Sequence, residues 1–179
     1  MDFPLIGTDL CMRPWRASDA PSFHEAALES VGTVGTWMNW CHANYTLQET
    51  QDWIDLCQQD LINERSYEMG VFSLDGTVLY GGFGINLINH LHKYANIGYW
   101  VRESRQGHGL ALDALRLAIE FGLHELQLRR LEIVVAENNL PSRKLAEKAG
   151  AHFEGILRNR LMVHGVSLPA AMYAVFPES

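Results

Sequence analysis

An apolar, aromatic-rich run, Asn96-Ile97-Gly98-Tyr99-Trp100-Val101, gives way through Arg102-Glu103-Ser104-Arg105-Gln106-Gly107-His108-Gly109 to a helical pattern beginning at Leu110-Ala111. No other stretch constrains the fold as much. A strand, a glycine-bearing loop and a helix in direct succession imply that the next strand returns parallel, by a right-handed crossover. They also aim the unpaired N–H groups of the first helical turn, and the positive end of the helix dipole, at one point. Such a point binds phosphate without any charged side chain.

The rest of the chain supplies a domain large enough to hold this unit. Its 179 residues, 47% apolar and 20% charged, fit one globular domain spanning residues 1–179. No apolar run approaches the roughly 20 residues that cross a bilayer, so no membrane partner is expected. Met1-Asp2-Phe3-Pro4 lacks the basic region and apolar core of a secretory signal. Cys11, Cys41 and Cys57 form an odd set without a CxxC pair, which reads as reduced thiols in a cytoplasmic protein. A net charge of −7 argues against direct nucleic-acid binding and is compatible with a cationic substrate such as an amine or a basic peptide end.

Periodicity places the other elements. Leu10 to Trp15 reads as a strand, and a helix starts at Ser18 with Ala20, Phe23, Ala27 and Val31 on one face. Gly32 to Tyr45 is irregular. Thr46-Leu47-Gln48-Glu49 is a capping box opening a helix that ends near Glu64. Tyr67 to Leu74 and Val78 to Ile88 read as strands joined at the Asp75-Gly76 turn. After the strand Tyr94 to Val101, the loop helix buries Ala111, Leu115, Ala118 and Gly122. Arg130 to Val135 is a strand, Pro141 starts a helix that Gly150 closes, and His152 to Val163 and Ser167 to Val175 flank a turn at His164-Gly165. Early hairpins and one parallel pair together give a mixed sheet covered by helices: α/β in the broad sense.

Two phosphate-binding loops fail on missing residues. A P-loop needs Gly-Lys-Ser/Thr, and here Gly109 is followed by Leu110-Ala111. A dinucleotide fingerprint needs a third glycine where Leu112 stands, and an acidic residue where Val135-Ala136 ends the next strand. His90 and His92 have no nearby Cys or carboxylate to complete a metal set, so no metal is expected.

The pattern Gln/Arg-x-x-Gly-x-Gly/Ala, met by Gln106, Gly109 and Ala111, resembles the acetyl-CoA loop of the GNAT N-acetyltransferases. Ile97-Gly98-Tyr99-Trp100-Val101 is similar to that family's fourth strand, and Asn138-Asn139-Leu140-Pro141-Ser142 through Gly150 to its Asn-x-x-Ser helix. The resemblance is nearest the RimJ/RimL-type branch. It implies the GNAT fold: a central, mixed, mostly antiparallel sheet flanked by helices, with the fourth and fifth strands splayed to admit the pantetheine arm. It implies acetyl-CoA as cosubstrate and a primary amine as acceptor, a protein N-terminal amine or a small molecule. Direct transfer in a ternary complex is expected, since no cysteine falls in either motif. A coenzyme-binding module without catalysis is the rival reading.

Residue by residue, the resemblance implies that backbone N–H groups from Gln106 through Gly107, His108, Gly109, Leu110 and Ala111 surround the pyrophosphate. The backbone of Tyr99, Trp100 and Val101 would pair with the pantetheine arm, and Gly98 would mark a bulge. Glu103 would take the amine's proton, directly or through water, or else be a solvated charge. Ser142 would protonate the departing thiolate, or simply sit in a first helical turn. Asn139 would hold the arm while capping the helix. Arg143 and Lys144 would meet the ribose phosphate or line a solvated face. Trp37, Trp40 and Tyr45 would shape the acceptor pocket or anchor the core. Exposed edges of the late hairpin are compatible with a homodimer, and the sequence leaves the oligomeric state open.

Overall fold

The computed structural model describes residues 3–177. Met1 and Asp2, read above with Phe3 and Pro4 for a leader, lie outside the described residues, as do the last two positions of the 1–179 domain. The strands are β1 (Leu5–Ile6), β2 (Cys11–Pro14), β3 (Tyr67–Phe72), β4 (Leu79–Asn89), β5 (Tyr94–Val101), β6 (Arg130–Ala136), β7 (His152–Val163) and β8 (Val166–Val175). The helices are α1 (Ala20–Glu29), α2 (Leu47–Ile62), α3 (Leu110–Glu120) and α4 (Leu140–Lys148). The two-residue β1 is too short for a pattern to announce it. One eight-stranded sheet results, in the order β1-β2-β3-β4-β5-β6-β8-β7. Every neighbouring pair is antiparallel except β5–β6, which is parallel.

Local chemistry explains where the helices begin. Thr46 Oγ1 accepts from the Glu49 N–H at 3.2 Å, and Glu49 Oε2 accepts from the Thr46 N–H at 2.8 Å, so the capping box at α2 is complete. Caps of this kind stabilise a helix by about 0.5–2 kcal/mol. Asn139 caps α4 through the Ser142 N–H, and Pro141 stands in its first turn. Beyond Glu120, α3 widens into a π-helical turn, Phe121–Glu125, which brings Gly122 against Leu131 and Ile85.

Two apolar cores lie on opposite faces of the sheet. One joins α3 and α4 to it through Leu115, Ala118, Ile97, Leu131 and Tyr173. The other packs α1 and α2 on it through Phe23, Ala27, Ile54, Trp15 and Phe72. Burying side chains such as Leu115 and Leu131, each fully enclosed, contributes roughly 1.5–3 kcal/mol apiece. β7 forms the outer edge of the sheet, with Phe153, Ile156, Leu157 and Met162 exposed. Among the described residues, no helix is long and apolar enough to cross a membrane.

Candidate active site

The loop between β5 and α3 keeps its amides free. The N–H groups of Arg105 and Gln106 are spent on Arg102 and Glu103 carbonyls, and those of Leu112 and Asp113 on Gly109. Between them, the N–H groups of Gly107, His108, Gly109, Leu110 and Ala111 meet no acceptor among the described residues. Gly107 (φ +80°) and Gly109 (φ +82°) take left-handed conformations that turn these amides to one side. The cradle therefore starts at Gly107. Gln106 turns inward instead, its side-chain amide donating to the Val101 carbonyl at 2.9 Å and to Thr33 Oγ1 at 3.2 Å. His108 is an exposed loop residue.

An ion-paired clamp positions this loop. Arg102 donates to Glu29 and to Glu25 on α1, and Glu29 Oε1 accepts from the Ser104 N–H at 2.7 Å. The Arg102 guanidinium, chiefly, holds the Glu29 carboxyl down at about 2. Arg105 lies over the Tyr80 ring, 5.6 Å from its centroid.

Beside the cradle the sheet parts. β5 and β6 are paired only at Tyr94–Arg130, Ala95–Leu131 and Asn96–Glu132, and diverge beyond. The Arg102 N–H donates to the Tyr80 carbonyl, so by alternation Trp100 and Gly98 also turn their amides toward β4. Tyr99 and Val101 then face the gap. This corrects one expectation: the backbone of Trp100 is engaged by β4, and its indole lines a cavity on the α1/α2 face. A second correction concerns Gly98, which stands opposite Gly84 in unbroken register. The bulge in that hairpin is displaced to Leu87, at φ +52°.

On the α3/α4 face the two arms of the fork are tied together. The Tyr99 hydroxyl donates to the Ser142 carbonyl at 3.2 Å and lies 2.9 Å from the Ser142 hydroxyl. Burial, slightly offset by the Ser142 hydrogen bond, pushes the Tyr99 phenol up to about 12. Asn139 Oδ1 is occupied as the α4 cap at 3.3 Å. Arg143 is folded onto its own domain, donating to Tyr173 Oη at 3.1 Å and to the Glu137 carbonyl at 3.1 Å, whereas Lys144 is exposed.

On the α1/α2 face lies a cavity of about 380 Å³. Trp40 and Tyr45 line it, joined by Trp15, Phe23, Trp53 and Trp100, and Trp37 does not. Its polar floor is Glu68 of β3 with Asn86 of β4, both missed by sequence reasoning. Glu103 lies outside this lining, in an exposed turn, where its carboxylate accepts from the Thr33 hydroxyl at 3.3 Å and its N–H donates to Ser30 Oγ at 3.0 Å.

These features have counterparts in known proteins. Residues 9–152 match the model of the acetyltransferase (GNAT) domain. A Bacillus subtilis protein named as a probable N-acetyltransferase, YjcK, is 33% identical over 123 residues, 68% of each chain. The ribosomal-protein-serine acetyltransferase of Escherichia coli is 27% identical over 145 residues, covering 75% of this chain and 81% of that one. Mycobacterium smegmatis RimJ, solved in complex with CoA-disulfide, superposes with a TM-score of 0.86 at 26% identity, over 93% of this chain and 81% of that one.

Proposed function

The chain belongs to the GNAT acetyltransferase family and is an acetyl-CoA-dependent N-acetyltransferase, and on that premise we propose that it acetylates the α-amine of a protein N-terminus, by direct attack in a ternary complex. One observation carries the reading. β5 borders both compartments: Tyr99 and Val101 turn their backbone to the fork, while Gly98 and Trp100 line the aromatic cavity. A donor laid in the fork and an acceptor held in the cavity meet across a single strand. The kinship to a ribosomal-protein-serine acetyltransferase supports a protein acceptor.

The residues present fit the coenzyme. Five free amides, Gly107 to Ala111, at the start of α3 suit a diphosphate. The Tyr99 backbone and the Val101 N–H facing the gap suit an extended arm that adds to the sheet as a short strand. Asn139, at the head of α4, stands on the far side of the same gap.

The reaction removes two protons from nitrogen. The ammonium must first give one up, because only the neutral amine has the lone pair that attacks the thioester carbonyl. As the C–N bond forms, the C–S bond breaks. The second proton then leaves nitrogen, and the thiolate gains one. In this reading Ser142 supplies the proton that sulfur takes up, and its hydrogen bond with Tyr99 supports that role. No acyl-enzyme is invoked: Cys11, Cys41 and Cys57 are all buried, and burial pushes each thiol above its ordinary value.

The test is a transfer assay with acetyl-CoA and a panel of peptides and small amines, read by mass spectrometry. Acetyl groups on peptide α-amines support the reading. Products found only on small diamines overturn the acceptor, and failure to bind acetyl-CoA overturns the whole.

A further inference from the structure

Strand alternation turns Glu68 of β3, Gly82, Gly84 and Asn86 of β4, and Asn96, Gly98 and Trp100 of β5 toward the α1/α2 face. The glycines leave that floor bare, so the polar side chains left on it form one chain. Asn96 Nδ2 donates to Asn86 Oδ1 at 2.9 Å, and Asn86 Nδ2 donates to Glu68 Oε1 at 2.9 Å. Donation runs in one direction and ends on the carboxylate. The other oxygen, Oε2, accepts no hydrogen bond among the described residues, and no Lys or Arg among them pairs with Glu68. Gly84 is what leaves it room: a Cβ there would stand 1.9 Å from Oε2.

Glu68 is half-buried among apolar rings with no cation beside it, an environment that favours a cation brought to its carboxylate. The surrounding rings favour the same visitor. Trp40 and Trp100 pack edge to face at 5.4 Å, with Phe23 5.3 Å from Trp100 and Tyr45 5.7 Å from Trp40. Aromatic faces attract cations and give anions no partner. The cavity's charged lining is Glu68 and Glu49, both acidic.

Building on the acetyl-transfer reading above, we propose that Glu68 Oε2 receives the acceptor's primary ammonium and takes its first proton, and that the acceptor carries no carboxylate beside that amine. The N–H bond breaks toward Oε2, the freed lone pair attacks the thioester across Gly98, and Glu68 passes its proton to solvent. Asn86 and Asn96 hold the carboxylate in place and are positioning residues. Lacking a basic partner for an anion, the cavity accepts peptide N-termini or simple amines and rejects free amino acids.

Several groups set the ionisation of Glu68. Burial raises it first, the Asn86 hydrogen bond opposes, and Asp60 on α2 raises it further. Cys57 on α2 also faces it, and Glu49 and Tyr45 border the same cavity. Activity therefore rises with pH through a limb above the usual carboxylate range, while the acceptor's own loss of its proton sets the alkaline limb.

The experiment compares wild type, Glu68→Gln, Glu68→Asp and Glu103→Gln. It measures acetyl-CoA affinity by calorimetry, the melting temperature, and kcat/KM against pH for a tripeptide amide and a free amino acid. Glu68→Gln is expected to bind acetyl-CoA like wild type, lose about 100-fold or more in kcat/KM, and lose the acid limb. Glu68→Asp is expected to recover part of the rate with the limb restored. If Glu68→Gln keeps the wild-type rate and limb, or Glu103→Gln alone removes the limb, the assignment of Glu68 is overturned. Efficient acetylation of the free amino acid overturns the acceptor class. Failure of wild type to bind acetyl-CoA instead overturns the underlying reading.

Discussion

The hydroxyl of Tyr99 lies 2.9 Å from that of Ser142, and this contact joins β5 to the helix following β6 across the place where those strands part. Tyr99 also stacks on Phe83, with centroids 5.2 Å apart, so its ring is held from one side while its hydroxyl reaches the other.

From that geometry, Tyr99→Phe is expected to lower kcat by about 10²-fold with little change in acetyl-CoA affinity. Ser142→Ala is expected to cost at least as much, because it removes the hydroxyl that serves sulfur while Tyr99 keeps only the residue 142 carbonyl as a partner. The phenol, raised to about 12, keeps its proton through neutral and moderately alkaline pH, so the kcat profile gains no limb from Tyr99 in that range. Steady-state kinetics on both variants checks this, and a wild-type kcat in Tyr99→Phe contradicts it.

Gly107 and Gly109 adopt φ of +80° and +82°, where an L side chain costs about 1–2 kcal/mol. Nothing lies within 4 Å of an added Cβ at either position, so the penalty is one of conformation and not of crowding. Gly109→Ala is expected to weaken acetyl-CoA binding about 5–30-fold as the cradle relaxes, with unchanged far-ultraviolet dichroism. Calorimetry at one temperature suffices, and unaltered affinity would remove the cradle from the site.

Glu29 anchors the loop to α1 through Arg102 and the Ser104 N–H. Its carboxyl is held at about 2 in the fold against an ordinary 4.5. A depressed value means the stabilisation is complete above pH 4.5, shrinks as pH falls, and is gone below about 2. Glu29→Gln is expected to lower stability by about 1–3 kcal/mol at pH 7, as for a lost charge-assisted hydrogen bond. Urea unfolding of both proteins from pH 7 downward should show the gap closing below pH 4.5.

Gly84 and Gly98 face each other across two strands, yet a methyl group has different consequences at each. At Gly98 it meets only Asn86 Nδ2 at 3.9 Å, so Gly98→Ala folds normally and narrows the cavity. Its acceptor KM is expected to rise about tenfold or more, with acetyl-CoA affinity intact. At Gly84 the methyl displaces the Glu68 carboxylate, and transfer itself is expected to fall. Equal behaviour of the two variants would argue against the cavity as the acceptor site.

What was legible in the sequence is what acts over a few residues. The Thr46–Glu49 box, the Asp75-Gly76 turn and the glycine loop depend on immediate neighbours, and all three are where the pattern put them. Glu68 is different. In the chain it is merely the polar member of an alternating strand, and its importance comes from Gly84 and Asn86 on the adjoining strand. Gly98 is similar: glycine in a strand marks a bulge or a cleared surface, and only its partner Gly84 decides between them. Trp37, Trp40 and Tyr45 lie in turns without a period, so nothing local separates the two that line the cavity from the one that does not.

With just Tyr94, Ala95 and Asn96 laced to β6, the eight strands amount to two slabs sharing one short seam, β1 to β5 on one side and β6 to β8 on the other. A guest lodged in the opening supplies the stitches the protein leaves out. The same opening that admits it is therefore the place where the sheet has backbone groups to spare.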